Sequence, residues 1–415
     1  MDHIYKSLEL FDLIVVGGGA SGFMASITAS ERGLDHVCIL EGTSKTLEKV
    51  RISGGGRCNI TNSVWENSDL VTNYPRGQKP LLGLFSHFST LQAFNWFQER
   101  GLKLKIEDDG RVFPSTNSSR DVLSCLQQNA INAGVVVHTK KLVTLIERIK
   151  QKYYLVKIKN NPPLLAKNVL LATGGSPSGS KIAKTLGHEI IKPVPSLFTF
   201  AINNRFLKEC KGITIADVQV KLNTSSQKYV EIGDVLITHW GLSGPAILKL
   251  SAFAARSLNE DSYKAELKIN WVGCSVDEVN DKISQVKVKF RNKLLVNSKP
   301  FIKIPKRLWL FFLQQIGLSP DLSWANISRI EHQKIVEILV SSSFQITNKG
   351  AYGEEFVTAG GVCLDEVNLK TMESKKSKGL YFAGEILNID GVTGGFNFQH
   401  CWTSGWIAGN SVAQS

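Results

Sequence analysis

The chain has 415 residues, 43% of them hydrophobic and 20% charged, and 49 Lys and Arg against 36 Asp and Glu give a formal charge of +13. That length calls for two or three domains, and that composition excludes a disordered chain. No apolar run approaches ~18 residues, so no membrane-spanning helix is expected.

The cysteines stand at 38, 58, 125, 210, 274, 363 and 401, with no CxxC pair. An odd number without metal spacing points to reduced thiols, and against a disulfide frame or a metal site. The N-terminus carries Asp2 and Glu9 and no basic segment leading into an apolar one. A cytoplasmic protein is expected, not a secreted one.

Residues 11–16 are a short run rich in β-branched side chains, which predicts a buried parallel strand. Gly17-Gly18-Gly19-Ala20-Ser21-Gly22 follows at once. Residues 23–32 read as a helix, with small Ala25, Ser26, Ala29 and Ser30 suited to close packing and Gly33 as its stop. Residues 37–40 form the second strand, ended by Glu41, which completes a βαβ unit.

Residues 81–100 read as one helix carrying Phe85, Phe88, Phe94 and Phe97, and 119–133 as another. A strand over 135–137, a hairpin over 142–148 and 153–158, and a buried strand over 168–172 lead to Thr173-Gly174-Gly175. Pro193 and Pro195 then break the pattern. Short strands over 198–202, 215–222, 229–238 and 263–271 read as an all-β insertion, sandwich or barrel. Residues 276–340 are helical. A strand over 379–383 and a helix over 398–413 return the chain to α/β character. The partition is an α/β domain from residues 1–192 and 344–415, a β module over 193–272 and a helical module over 273–343.

Gly17, Gly19 and Gly22 fit GxGxxG between a strand and a helix, and Glu41 closes the second strand about twenty residues on. Gly17 permits the tight turn, Gly19 lets backbone approach a pyrophosphate, and Gly22 lets helix pack on strand. With Ala20 and Ser21, the helix N-terminus offers free N–H groups to phosphate. Glu41 would accept ribose hydroxyls and disfavour a 2′-phosphate. The turn implies a dinucleotide without choosing between FAD and NAD.

Further motifs make that choice. Ser53-Gly54-Gly55-Gly56-Arg57-Cys58-Asn59-Ile60-Thr61-Asn62 is joined by Gly110-Arg111-Val112-Phe113-Pro114, Thr238-His239-Trp240-Gly241-Leu242-Ser243-Gly244-Pro245 and Thr358-Ala359-Gly360-Gly361. Gly379-Leu380-Tyr381-Phe382-Ala383-Gly384-Glu385 and Asp390-Gly391-Val392-Thr393-Gly394-Gly395-Phe396-Asn397 complete the set. In this order they resemble the BaiN-like (aminoacetone-oxidase-type) family of NAD(P)/FAD-dependent oxidoreductases, over nearly the whole chain. The resemblance is weakest between residues 250 and 340. It implies a glutathione-reductase-like Rossmann FAD-binding domain, discontinuous in sequence, with an inserted β-barrel-like domain and a small helical domain.

It also implies bound FAD. Ser53 to Cys58 and Asn59 would lie against the pyrophosphate–ribityl stretch or the ring edge, with Arg57 offsetting phosphate charge. Val143 would meet the adenine. Thr173, Gly174, Gly175, Gly384 and Glu385 would border the cofactor at the sheet's C-terminal edge. Gly394, Gly395, Phe396 and Asn397 would aim the last helix's N-terminus at the flavin N1–C2=O2 edge and favour its reduced anion. The loop over 176–185 is shorter than the family's usual one.

Cys58 sits in the glycine loop near the expected flavin but lacks a CxxC partner, and it reads as a small packing residue. His239, Ser243 and His400 are substrate-pocket candidates: His239 precedes residues 241–245, which read as a turn opening a helix with Pro245 near its first position, and His400 would face either the flavin or the core. No second strand-led GxGxxG is present, so NAD(P)H would bind transiently in the substrate cleft. The expected function is hydride transfer between flavin N5 and a small organic substrate. An amine oxidase is one alternative. Another is a nucleic-acid-binding flavoprotein with structural or sensory FAD. Its motive is the stretch from Asp281 to Arg307, with nine Lys or Arg and one Asp. A solvated basic face is the ordinary account of that stretch, and Trp309, Phe311 and Phe312 after it have core spacing. No membrane partner is expected.

Overall fold

The computed structural model describes residues 8–350 and 357–415; Asp2 lies outside them. The chain divides into two compact units, one from residues up to 193 and from 357 onward, the other from 194 to 356.

The first unit opens with β1 (Leu10–Val16), α1 (Ala20–Glu31), β2 (Val37–Leu40) and α2 (Glu48–Gly56). β3 (Val136–His138), β4 (Val143–Ile149), β5 (Tyr153–Ile158) and β6 (Leu164–Leu171) follow. β1 pairs in parallel with β2 and with β6, and β2 pairs in parallel with β3. β4 and β5 form the antiparallel hairpin, and β5 pairs with the first residues of β6. Leu13, Ile14 and Val15 are wholly buried, as a central strand covered on both faces requires.

The second unit is a closed antiparallel barrel: β7 (Phe200–Ile202), β8 (Thr214–Asn223), β9 (Lys228–Ile237), β10 (Gly241–Ser243), β11 (Ala265–Asn270) and β12 (Ser342–Lys349), in the order β7-β10-β9-β8-β11-β12. β12 closes on β7 with Phe200 opposite Lys349. Between β11 and β12 the chain forms α3 (Val276–Lys289), α4 (Lys306–Gln315) and α5 (Arg329–Val340).

These helices share one hydrophobic core with the barrel. Trp271, just after β11, meets Phe312 of α4 at 5.7 Å between ring centroids and donates to Ser342 Oγ at 2.9 Å. Barrel and helices are therefore one unit, and the return to the first unit falls at 357, because the strand after the helices closes the barrel. Trp309, Phe311 and Phe312 are core, as their spacing indicates.

The first unit resumes with β13 (Leu380–Phe382), parallel to the second half of β6, and α6 (Phe396–Ala413). The parallel strands thus lie in the order β3-β2-β1-β6-β13, the half-order of a dinucleotide-binding Rossmann sheet. α1 and α6 cross closely: a Cβ on Gly405 would stand 2.6 Å from Ser21 O, and one on Gly409 2.4 Å from Ala25 O.

Three expectations are corrected. Residues 81–100 are two helices, Gln78–Phe85 and Thr90–Glu99, because Ser89 caps the second in a reciprocal box with Gln92. Pro193 and Pro195 sit inside a strand, Ile190–Ser196, of a two-stranded sheet with Val357–Val362, where an edge tolerates missing N–H groups. Gly241 to Ser243 form a barrel strand, not part of a turn. Among the described residues, no helix is long and apolar enough to cross a membrane, and no cluster of side chains could hold a metal ion.

Candidate functional site

The expected cofactor residues of the first unit converge at the C-terminal edge of its parallel sheet. β1 runs into Gly17, and Gly19 caps α1 without any side-chain acceptor, so the first N–H groups of α1 stay free for an anion. A Cβ on Gly22 would stand 2.2 Å from Gly17 O; this helix can follow this strand only with glycine there. Nothing lies within 4 Å of a Cβ built on Gly19.

Glu41 leaves β2 with its carboxylate already held. Oε2 accepts Gly18 N–H at 2.9 Å and Oε1 accepts Thr43 N–H at 2.8 Å. Each oxygen keeps acceptor capacity for a ribose hydroxyl. Val143 is buried at the start of β4, and its neighbour Leu142 packs on Gly42 beside Glu41.

The second wall is the glycine triplet. α2 is helical through Ile52; Gly54, Gly55 and Gly56 then take φ of 56°, 68° and 85°, and Cys58 takes 59°. Three successive left-handed residues need glycine, since each other L-residue costs about 1–2 kcal/mol there. A Cβ on Gly55 or Gly56 would meet nothing within 4 Å, so one face of the loop is open. Ser53 anchors the loop: its Oγ donates to Val50 O, and its carbonyl accepts Cys58 N–H at 3.0 Å.

Cys58 is fully buried and burial pushes its thiol up to about 12, which makes it a packing residue and not a thiolate. Arg57 is engaged elsewhere. It pairs with Glu107 at 2.7 Å and lies 3.9 Å over the Phe113 ring, so its charge is already partnered within the protein.

The loop after the triplet is bonded to the turn before α6. The Asn59 amide, oriented to satisfy its neighbours, accepts Gly395 N–H at 2.9 Å and donates to Thr61 O. Asn62 Nδ2 donates to Gly394 O at 3.0 Å. Gly395 caps α6, which has eighteen residues and no acidic side chain in its first turn. Its N-terminus presents positive potential to the same cradle. Asn397 closes the turn, its amide bonded both ways to Gly391, and Tyr74 donates to Phe396 O at 2.6 Å. Phe396 and Asn397 thus build the helix entry by packing and turn closure.

The third wall is the end of β6 with the end of β13. Glu385 Oε1 accepts Thr358 N–H at 2.9 Å and Oε2 meets Lys49 at 2.6 Å, beside Gly174 and Gly175. Thr173 Oγ1 is buried without a partner. Ala383 O accepts Ser21 Oγ, and Gly384 N–H donates to Ser404 of α6. Free helix N–H groups, an open glycine face and a fixed acceptor at the β2 edge fit a dinucleotide such as FAD.

His400 resolves to the core. It is 2% exposed, with Nε2 3.2 Å from Gly384 O and Nδ1 unpartnered, and burial holds it down at about 4. His239 is exposed and edge-on to Trp240 in the second unit, and Ser243 lies in β10 opposite Leu236.

Sequence reasoning missed three features. Asp390, fully buried, pairs with Arg76 just ahead of the glycine turn; nothing in the loop around Arg76 signals that partner. Lys49 on Glu385 is likewise a long-range pairing. Ser374, His188 and Glu366 form a chain, with Ser374 Oγ 2.9 Å from His188 Nε2 and His188 Nδ1 3.1 Å from Glu366. It is no nucleophile triad. Ser374 is buried and its oxygen already accepts N–H from Lys376 and Ser377.

Comparison with known proteins agrees with this architecture. A family model described as HI0933-like protein Rossmann domain matches residues 11–411. The ribosomal RNA dihydrouridine synthase of Escherichia coli (strain K12) is 28% identical over 98% of both chains. The 3-dehydro-bile acid delta(4,6)-reductase of Clostridium scindens is 27% identical over 96% of this chain and 98% of its own. The solved 3-ketosteroid delta1-dehydrogenase from Sterolibacterium denitrificans superposes with a TM-score of 0.52 at 13% identity, covering 98% of this chain and all of that one. That last likeness is one of fold.

Proposed function

The chain belongs to the HI0933-like Rossmann-domain family of FAD-dependent oxidoreductases, and from that premise we propose that it reduces a carbon–carbon double bond conjugated to a carbonyl, with NAD(P)H as electron donor and uridine in RNA as acceptor. The observation that carries this reading is the pair of full-length relatives, named for dihydrouridine synthesis and for bile acid reduction. Saturating the uridine C5=C6 bond and saturating a 3-keto-4,6-diene are one operation. A hydride adds at the carbon remote from the carbonyl and a proton at its neighbour. The charge of +13 favours the polyanionic substrate of the two. The BaiN-like motifs, from Ser53 to Asn397, are read within the same chemistry.

FAD, when bound, supplies that hydride from N5 of its reduced form. The chain's own residues would bind and bias it. Gly19 and the free N–H groups of α1 would hold the pyrophosphate, and Glu41 the adenosine ribose. Gly54 to Gly56 would lie along the ribityl chain. The N-terminus of α6, capped by Gly395, would sit at the N1–C2=O2 edge and favour negative charge there. Cys58, buried and protonated, takes no part in electron transfer. All seven cysteines are free, which suits a reducing compartment, and we place the reaction in the cytoplasm.

The test is an anaerobic titration of the yellow protein with NADPH, followed by unmodified RNA and nucleoside analysis. The reading expects bleaching within seconds and dihydrouridine equal to the NADPH consumed. Bands that stay unbleached by both NADH and NADPH overturn the reductase reading, and amine-dependent oxygen uptake would replace it. Bleaching reversed by a dienone steroid but not by RNA overturns the uridine substrate alone.

A further inference from the structure

We infer that the end of α3 and the turn after it, with α5 alongside, form a docking surface for the sugar–phosphate backbone of RNA. The inference rests on the RNA reading above, but its support is local. Lys289, Arg291 and Lys293 are all exposed, and among the described residues none pairs with a carboxylate. The segment carrying them is held rigidly. Ala325 N–H donates to Arg291 O at 2.9 Å, Trp324 N–H donates to Lys293 O at 3.1 Å, and Lys287 Nζ donates to Ile327 O at 2.5 Å.

Phe290 sits between the two lysines. Its ring centroid is 5.4 Å from Lys289 Nζ and 4.7 Å from Lys293 Nζ, which restrains both ammonium groups before any partner arrives. Lys334, exposed on α5, extends the surface. Glu331, whose carboxylate caps Ser328 by accepting its N–H at 2.8 Å, is a partial counter-charge to Lys334 and Lys287 and to none of the other three. Lys289, Arg291 and Lys293, held on a packed helical frame without a carboxylate partner among the described residues, are what a phosphate backbone rewards through counterion release. Exposed Val288 and Ile330 adjoin them, and an anionic lipid surface is the rival partner that the test must separate.

The experiment compares the holoprotein with a variant carrying Lys289, Arg291, Lys293 and Lys334 all changed to Gln. A control variant changes Lys79, Lys152, Lys159 and Lys370, exposed lysines of the first unit, in the same way. Binding of an unmodified rRNA fragment is measured from 50 to 200 mM salt, along with binding of vesicles containing phosphatidylserine. Four lost phosphate contacts should weaken RNA binding at least about tenfold and flatten the log–log salt slope by about 3, with the control unchanged.

Flavin content and the rate of bleaching by NADPH should match wild type in both variants, which shows that each is folded. Equal losses in both variants, or unchanged affinity and slope in the first, overturn the surface; so does vesicle binding that depends on these residues without RNA binding. If wild type forms dihydrouridine while the first variant binds RNA normally, the surface falls and the reductase reading stands. If RNA binding needs these residues but no dihydrouridine forms, the surface stands and the substrate reading falls.

Discussion

Gly55 and Gly56 hold left-handed φ with open space on their outer face, so a methyl group there meets strain and not a clash. Replacing both with Ala should cost about 1–2 kcal/mol each in stability. If the open face receives the cofactor, FAD affinity should also fall by about tenfold or more, read as a smaller rise in Tm on adding FAD. An unchanged FAD-induced rise would leave the loop with a structural role only.

His400 gives a pH prediction. It is held at about 4 in the folded chain against an ordinary value near 6.5, so the unfolded chain binds the extra proton in between. Stability is therefore complete above about pH 6.5 and falls by roughly 3 kcal/mol as pH drops to 4. Urea denaturation at pH 7.5 and 4.5 should show this loss in wild type and most of it removed in His400→Gln. The glycine triplet was legible because such a run has few uses without a left-handed loop. The burial of His400 was not, since the carbonyl it meets, on Gly384, comes from another strand end.

The crossing of α1 and α6 depends on two glycines of α6 that sequence analysis passed over. The small residues of α1 announced a close partner, but Gly405 and Gly409 in a tryptophan-rich helix did not identify themselves as its other half. A Cβ on Gly409 would stand 2.4 Å from Ala25 O and 2.8 Å from Thr28 Cβ, so backbone must move. Gly409→Val should destabilise the first unit by about 1–3 kcal/mol, seen as a lower urea midpoint, and should loosen FAD as α1 shifts. Four of the five parallel strands were legible to within about a residue, because buried strands are continuous apolar runs. β6 starts at Leu164, four residues before the run read at 168, where Lys167 and Asn168 interrupt the apolar pattern. The helix over 81–100 was misread because phenylalanines at helical spacing continue across the Ser89 cap; the box with Gln92 was the overlooked signal.

Whole-molecule organisation was legible in kind: an α/β domain interrupted by β and helical segments. The joint core of barrel and helices was not, since Trp271 and Phe312 declare their contact only in three dimensions. Trp309 donates to Leu295 O at 2.8 Å and is 1% exposed. Trp309→Ala should cost the second unit about 3–5 kcal/mol. Barrel and helices should then melt together in one transition, followed by far-UV and tryptophan signals; separate melting would show two cores.

The barrel's closure has a consequence for descent as well as for folding. Its first and last strands are neighbours, with Phe200 beside Lys349, so the excursion begins and ends at one place. A segment of that kind can be lengthened, exchanged or shed between lineages while the flanking chain keeps its register. The excursion is thus a cassette by its connectivity, and the Rossmann half stays recognisable by its own strand order whatever the cassette holds.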